Sequence, residues 1–379
     1  MPKTPTDTST AAAFLWPIDV LRFALAFMVV CGHAYEFLHL DRPEAYSHFF
    51  ERIESGGLWV SGFFVLSGWC IVAGSGSPEH FDFRRYLAAR LTRILPLYLF
   101  FLVAVLVAEA IFAHHGGRSP EPWIVHPWTL LAQLTMTQGL FGPFGAYNPS
   151  WSLTHEIACY LVWGLLVAAV GRRLRGSTVL MVAVAPLVAA AAVHATVHDE
   201  TSWAVLTLPL YFFIWLLGGA AAESRDAFGD PARRRLLFVV LTIFVPILIW
   251  FAADLRVPDT VGMIAFAVLL AISLLWLQHL PPAGPRLEAV SRRLGLASYP
   301  LYLGHGIVLV ATTVYCTPED PLVRAVSAVL FSSGLALVFG VPLERAGLAW
   351  RSRWLRRTFA KDRSDETSRR IAPTARAEA

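Results

Sequence analysis

Apolar residues run along this chain in blocks of about twenty, separated by short polar and basic stretches. Blocks of that length cross a bilayer as helices. Ten are expected, at 14–34, 57–74, 94–113, 150–170, 178–197, 203–222, 236–253, 261–280, 298–315 and 323–341. The polar interruptions inside the blocks carry the information. In the first block Asp19, Arg22 and His33 fall on one helical stripe. Arg22 and His33 are about three turns apart, so they project from one face, about 16 Å apart along the axis. Ionisable groups in lipid are costly and by default line a cavity or a path. Asp19, three residues before Arg22, can pair with it. An imidazole near the outer end suits proton transfer near neutrality. The plainer alternative is a histidine reaching out to the interface.

Composition agrees with the pattern. Of 379 residues, 56% are hydrophobic and 15% charged, and the mean hydropathy is +0.55. A soluble domain carries roughly a quarter charged residues. The fold class expected is therefore an all-α polytopic membrane protein. The first block ends in Cys31-Gly-His-Ala-Tyr-Glu36 and reads as a retained helix rather than a leader. Cys31, Cys70, Cys159 and Cys316 are dispersed, with no metal or redox spacing. Three of them read as buried small hydrophobes, and Cys316 lies at a loop edge.

Net charge is +4, with a pI near 9.0. The placement of the charges argues against nucleic acid as the partner. Arg42, Arg52, Arg118 and Arg256 fall on one side of the ten-span topology. Arg22 lies within a span and Arg324 at an edge. The remaining lysines and arginines fall on the other side. That asymmetry puts both termini in the cytoplasm, and the basic side meets the inner leaflet. The expected organisation is a cytoplasmic N-terminal tail over 1–13, a ten-helix domain over 14–341 and a basic cytoplasmic tail over 342–379. Beyond about 355 the tail is charged and apolar-poor, as in disordered segments. The outer loop at 35–56 is acidic. The one at 114–149 is long and rich in Pro, Gly and Trp, and its segment 128–138 reads as a short interfacial or re-entrant helix. No internal repeat is apparent.

Further polar stripes follow. Gly62 and Gly68 flank Ser67 in the second span, a pattern of close helix packing. Tyr86, Arg90 and Arg93 share one face of the third, where two guanidiniums a turn apart can grip phosphates. Ordinary basic decoration of the inner side also explains Arg84 and Arg85. In the fourth span Ser152, Glu156 and Tyr160 share a face. Glu156 sits about one turn below the outer surface, at the depth expected for His33. A carboxylate there can orient the imidazole or bind a hydroxylated acceptor. His155-Glu156 is not a zinc-protease helix, because the second histidine would fall at Cys159. In the ninth span Ser298, Tyr302 and His305 form another stripe, with His305 expected in the cytoplasmic half. No metal site, nucleophile elbow, P-loop or dinucleotide fingerprint occurs.

Five of these segments together resemble the acyltransferase family 3 of integral membrane O-acyltransferases. They are Arg22-x10-His33, Phe63-Phe-Val-Leu-Ser-Gly68, Arg90-Leu-Thr-Arg93 with Pro96-Leu-Tyr98, Trp151-Ser-Leu-x-x-Glu156, and Ser298-Tyr-x-Leu-Tyr-Leu-x-His305. They occur in the family's order and cover roughly residues 15–340. Trp69 stands where the family often has phenylalanine. The resemblance implies a ten-helix bundle in the bacterial cytoplasmic membrane. It implies transfer of an acyl group, usually acetyl, from cytoplasmic acyl-CoA to a hydroxyl, commonly on a cell-envelope or exported sugar or glycolipid. Acyl-CoA would be a substrate rather than a tightly bound cofactor, and glycan-assembly proteins are possible partners. The family's functional positions would fall on Arg22, His33, Arg90, Arg93 and Glu156.

On this reading Arg90 and Arg93 hold the CoA phosphates, the pantetheine arm passes Arg22, and His33 deprotonates the acceptor. Arg22 and Ser67 are the candidate oxyanion donors. A covalent acyl-enzyme through His33, Ser67 or a tyrosine stays open. Two other classes remain: a glycolipid transporter or flippase whose polar stripes form a path, and a polytopic scaffold for envelope assembly. The transporter gives no reason for the Arg90/Arg93 pair. The scaffold predicts that substitutions at Arg22, His33 and Glu156 are tolerated.

Overall fold

The structure is a computed structural model and describes residues 15–41, 56–74, 81–116, 126–140, 148–171, 174–197, 200–224, 259–277, 279–315 and 320–359. The described residues form helices α1 (Leu15–Asp41), α2 (Gly56–Gly74), α3 (Phe83–Gly116), α4 (Pro127–Thr135), α5 (Trp151–Val170), α6 (Gly176–Val197), α7 (Glu200–Glu223), α8 (Asp259–Leu277), α9 (Pro285–Tyr315), α10 (Pro321–Leu335) and α11 (Val341–Thr358). A π-helical turn, Ala336–Gly340, joins α10 to α11. Among the described residues, 8 helical runs are long and apolar enough to cross a membrane, and the shorter Ser177–Val193 is also apolar. The expected span at 236–253 lies outside the described residues.

Several helices begin well before their apolar stretch does. The Asp82 carboxylate accepts hydrogen bonds from the backbone N–H of Arg84 and Arg85 at 2.9 and 3.2 Å, and so starts α3 at Phe83. Arg90 and Arg93 are thus carried in the body of a 34-residue helix. Pro285, just after Gly284, starts α9, with Glu288 in its first turn. His305 is then twenty residues into its helix, about 30 Å along it. His33 is eighteen residues into α1, at nearly the same height. The expectation that His305 lies at a different depth from His33 is therefore overturned, since the two rings are in contact. It rested on counting from residue 298, where the hydrophobic run begins, rather than from the helix start.

Packing depends on small residues. The most extensive pairing is α2 on α7, where Gly68 lies against the backbone of Trp215 and Gly218 against that of Val65. A Cβ at either position would overlap the partner's main chain, so glycine is required there. Gly62 in turn lies against Leu25 of α1. α1 packs along α9, where Gly295 lies against the Asp19 side chain. Asp19 makes no ion pair with Arg22 among the described residues. It meets α9 instead and feels Arg22 and Arg292 only through space.

α4 overlaps the segment 128–138 expected to hold a short helix. A polar network ties it to the bundle: the Tyr98 hydroxyl donates to the Gln133 backbone and side-chain oxygens at 2.8 and 2.7 Å, and Ser150 Oγ donates to Gln133 Oε1 at 3.1 Å. Gln138 bridges by donating to the Ser150 carbonyl at 3.0 Å. Buried polar groups placed this way fix the entry of α5. At the other end of the chain, helix continues past residue 341 to Thr358 and packs on α3 and α9.

Candidate functional site

A cavity of about 270 Å³ opens between α1, α2, α3, α5, α9 and α11. Arg22, Arg90, Arg93 and Arg351 gather in its wall. The Arg93 guanidinium pairs with Glu344, which is 1% exposed, and lies over the Tyr299 ring at 5.3 Å. Arg90 lies over the Tyr86 ring at 5.5 Å, and its buried Nε has no hydrogen-bond partner among the described residues. Arg351 Nε donates to the Ala89 carbonyl at 3.1 Å. These four cations outnumber the two carboxylates set among them, Glu344, paired with Arg93, and Glu156, and the net positive charge favours entry of an anion.

Glu156 lines the same cavity, where neutral donors hold it. Ser67 Oγ donates to Glu156 Oε1 at 3.1 Å, and the Tyr160 hydroxyl donates to the same oxygen. Trp215 Nε1 donates to Ser67 Oγ at 3.3 Å. Oε2 is left without a protein donor among the described residues. Ser67, Glu156 and Tyr160, placed by sequence on two separate stripes, thus form one cluster. His155 points the other way, with Nε2 against Thr207 Oγ1 at 3.1 Å in a pocket between Trp151 and Tyr211. Cys70, half-buried, also lines the cavity; Cys31 is half-buried and Cys159 buried.

At the far end, Ser152 Oγ and the Tyr302 hydroxyl lie 2.7 Å apart, and that hydroxyl donates to the Pro149 carbonyl at 2.9 Å. Its own donor being so used, Tyr302 accepts from Ser152. Phe63 packs on the Tyr302 ring at 5.6 Å. Neither His33 nor His305 lines the cavity, which ends at this closure; the Tyr302 ring is 6.2 Å from that of His305.

Beyond the closure, His33 Nδ1 and His305 Nε2 are 2.7 Å apart, with rings nearly parallel at 17°. The neighbours assign the protons. His305 Nδ1 faces the Tyr302 carbonyl at 2.7 Å and the Leu301 carbonyl at 3.3 Å, so Nδ1 carries the hydrogen. In neutral His305, Nε2 is then an acceptor. His33 Nδ1 must donate to it, which leaves the lone pair on His33 Nε2. This is the tautomer a general base needs.

Glu156 does not orient His33. It lies four residues from Ser152 on α5, and His305 lies three from Tyr302 on α9. With Ser152 and Tyr302 in contact, Glu156 is about 10 Å from the histidine pair along the bundle. The partner of His33 is His305, whose side chain is buried. Ser298 bonds within its own helix, to the Gly295 carbonyl at 2.7 Å, and also lines the cavity.

Sequence reasoning did not single out Glu344 and Arg351, both of which it placed in the basic C-terminal tail over 342–379. One signal was available: Glu344 is an acid in an otherwise basic stretch. The π turn adds a residue at Ala336–Gly340 and re-phases the following helix by about 100°, so the apolar period before it does not foretell the inward face after it.

The family described as an acyltransferase domain, acyltransferase family 3, matches residues 16–344. Neither the curated proteins nor the solved structures gave a match.

Proposed function

The chain belongs to the acyltransferase family 3 and is a multi-pass membrane acyltransferase, and on that premise we propose that it moves an acyl group, acetyl in the simplest case, from cytoplasmic acyl-CoA to a hydroxyl of a cell-envelope or exported glycan in a bacterial cytoplasmic membrane. One observation carries this reading: an arginine-lined cavity ends within one helical turn of a histidine pair whose tautomers leave a basic nitrogen free. The distribution of basic loops supports an arginine end that faces the cytoplasm.

The steps follow from the groups present. Arg90 and Arg22, which have no ion-pair partner among the described residues, and Arg93, neutralised on one side by Glu344, take the donor's phosphates. The pantetheine arm extends along the cavity, and an amide N–H of the arm donates to Glu156 Oε2. The thioester then reaches the Phe63–Tyr302 closure. Transfer requires Tyr302 to swing aside, with loss of its bonds to Ser152 and Pro149, because reacting atoms must approach to about 3 Å. His33 Nε2 takes the proton from the acceptor hydroxyl. The freed oxygen attacks the thioester carbon, the C–S bond breaks, and the imidazolium proton passes to the departing thiolate. His305 Nε2 accepts from His33 Nδ1–H throughout and is a positioning residue. Its acceptor strengthens as His33 becomes charged.

The test uses purified protein in lipid nanodiscs with acetyl-labelled CoA and envelope glycan. Label should move to the glycan with wild type and not with His33→Ala, which should still insert and accumulate. If wild type neither transfers nor hydrolyses the thioester, the reading fails and a conducting role for the cavity takes its place. Glycan mass spectra from cells with and without the protein identify acyl group and acceptor together.

A further inference from the structure

We infer that Arg351, on the terminal helix α11, is a phosphate-binding residue of the donor site, an assignment that rests on the acyl-CoA reading above. The residue lies beyond 344, where the family match ends. Three observations point to it. First, its side chain lines the same cavity as Arg22, Arg90 and Arg93, within electrostatic reach of the last two. Second, its Nε is anchored to the Ala89 carbonyl at 3.1 Å, and the two terminal nitrogens have no protein partner among the described residues. A guanidinium pinned at one edge presents a pre-set fork to a phosphate. Third, the other arginines of α11 are placed differently: Arg345, Arg353, Arg356 and Arg357 are exposed, whereas Arg351 is half-buried.

The electrostatic setting asks for an anion, because the four arginines outnumber the two carboxylates, Glu344 and Glu156, set among them. Arg90 has its Nε buried without an acceptor among the described residues. Glu344, on the same helix as Arg351, is already committed to Arg93. Like charges held together in a partly desolvated space repel each other until a multivalent anion bridges them. The phosphates of acyl-CoA are such an anion. So are lipid headgroups, so the test separates the two.

CoA binding is measured on the full chain in nanodiscs of neutral phosphatidylcholine, and turnover is followed with acetyl-CoA and with acetyl-pantetheine, which has no phosphates. Arg351→Gln should weaken CoA binding about ten-fold and raise the KM for acetyl-CoA by the same factor. It should leave kcat/KM for acetyl-pantetheine unchanged. Arg351→Lys should recover part of the loss, and Arg345→Gln should change nothing. The inference is overturned if Arg351→Gln binds CoA like wild type. Equal loss with both donors overturns it too, since the role is then structural. So does a loss that appears only when anionic lipid is added, since the partner is then a headgroup. If wild type itself binds no CoA, the acyl-CoA reading fails instead.

Discussion

Replacing His305 with leucine removes the acceptor of the His33 Nδ1 proton while nearly preserving side-chain volume. In the wild type that bond is 2.7 Å long and made to a buried ring. With neutral His33 it contributes about 1 kcal/mol. As His33 takes the acceptor's proton, the bond becomes charge-assisted, worth about 1.5–3 kcal/mol. The differential, about 0.5–2 kcal/mol, acts only in the transition state and corresponds to a roughly 2- to 30-fold fall in kcat. Loss of the tautomer constraint adds to that, so a drop of about 100-fold is expected for His305→Leu. The KM for acyl-CoA should stay within about two-fold, because His305 does not line the arginine cavity. His305→Gln restores an oxygen acceptor and should recover about ten-fold of the lost rate. The assay is steady-state transfer in nanodiscs, with thermal melting to confirm equal folding. Wild-type kcat in His305→Leu, or a glutamine variant no better than leucine, would refute the reasoning.

Glu156→Gln keeps an oxygen acceptor for Ser67 and Tyr160 but turns the cavity-facing acceptor into a donor; melting should shift little, while the donor KM rises about ten-fold in steady-state kinetics. Tyr302→Phe strips the closure of its hydroxyl and leaves the Pro149 carbonyl unpaired, at a cost of about 1–3 kcal/mol. Thioester hydrolysis without acceptor should rise, as read by free-thiol release, and an unchanged rate would show that Tyr302 is no barrier. Gly68→Ala drives a methyl into the Trp215 backbone and should destabilise by ~3 kcal/mol or abolish accumulation, whereas Gly262→Ala, which meets open space, should be neutral in the same melting assay.

The order of helices was legible because a twenty-residue apolar run has few other stable forms. The inward stripes were legible for the same local reason: a 3.6-residue period puts Ser152 with Glu156, and Tyr302 with His305, on one face whatever surrounds them. Depth was less so. Hydropathy marks where lipid begins, not where the helix begins, and α3 and α9 start well before their apolar cores. This displaced His305 by much of the bundle's height. Glycines 62 and 68 read as packing positions and are such.

Alone, the sequence determined that the chain crosses the membrane many times and that the ionisable residues inside its spans, such as Arg22, His33 and Glu156, must find interior partners, because lipid will not solvate them. Only the tertiary structure decided which polar groups meet. His33 takes His305 rather than Glu156, Glu156 takes Ser67 and Tyr160, and Arg93 takes a glutamate from a stretch that looked like tail. Helical periodicity tells which side a residue occupies and says nothing of which helix that side faces. That choice is made where glycines let two backbones touch and where a π turn rotates the last helix, through contacts between residues hundreds of positions apart.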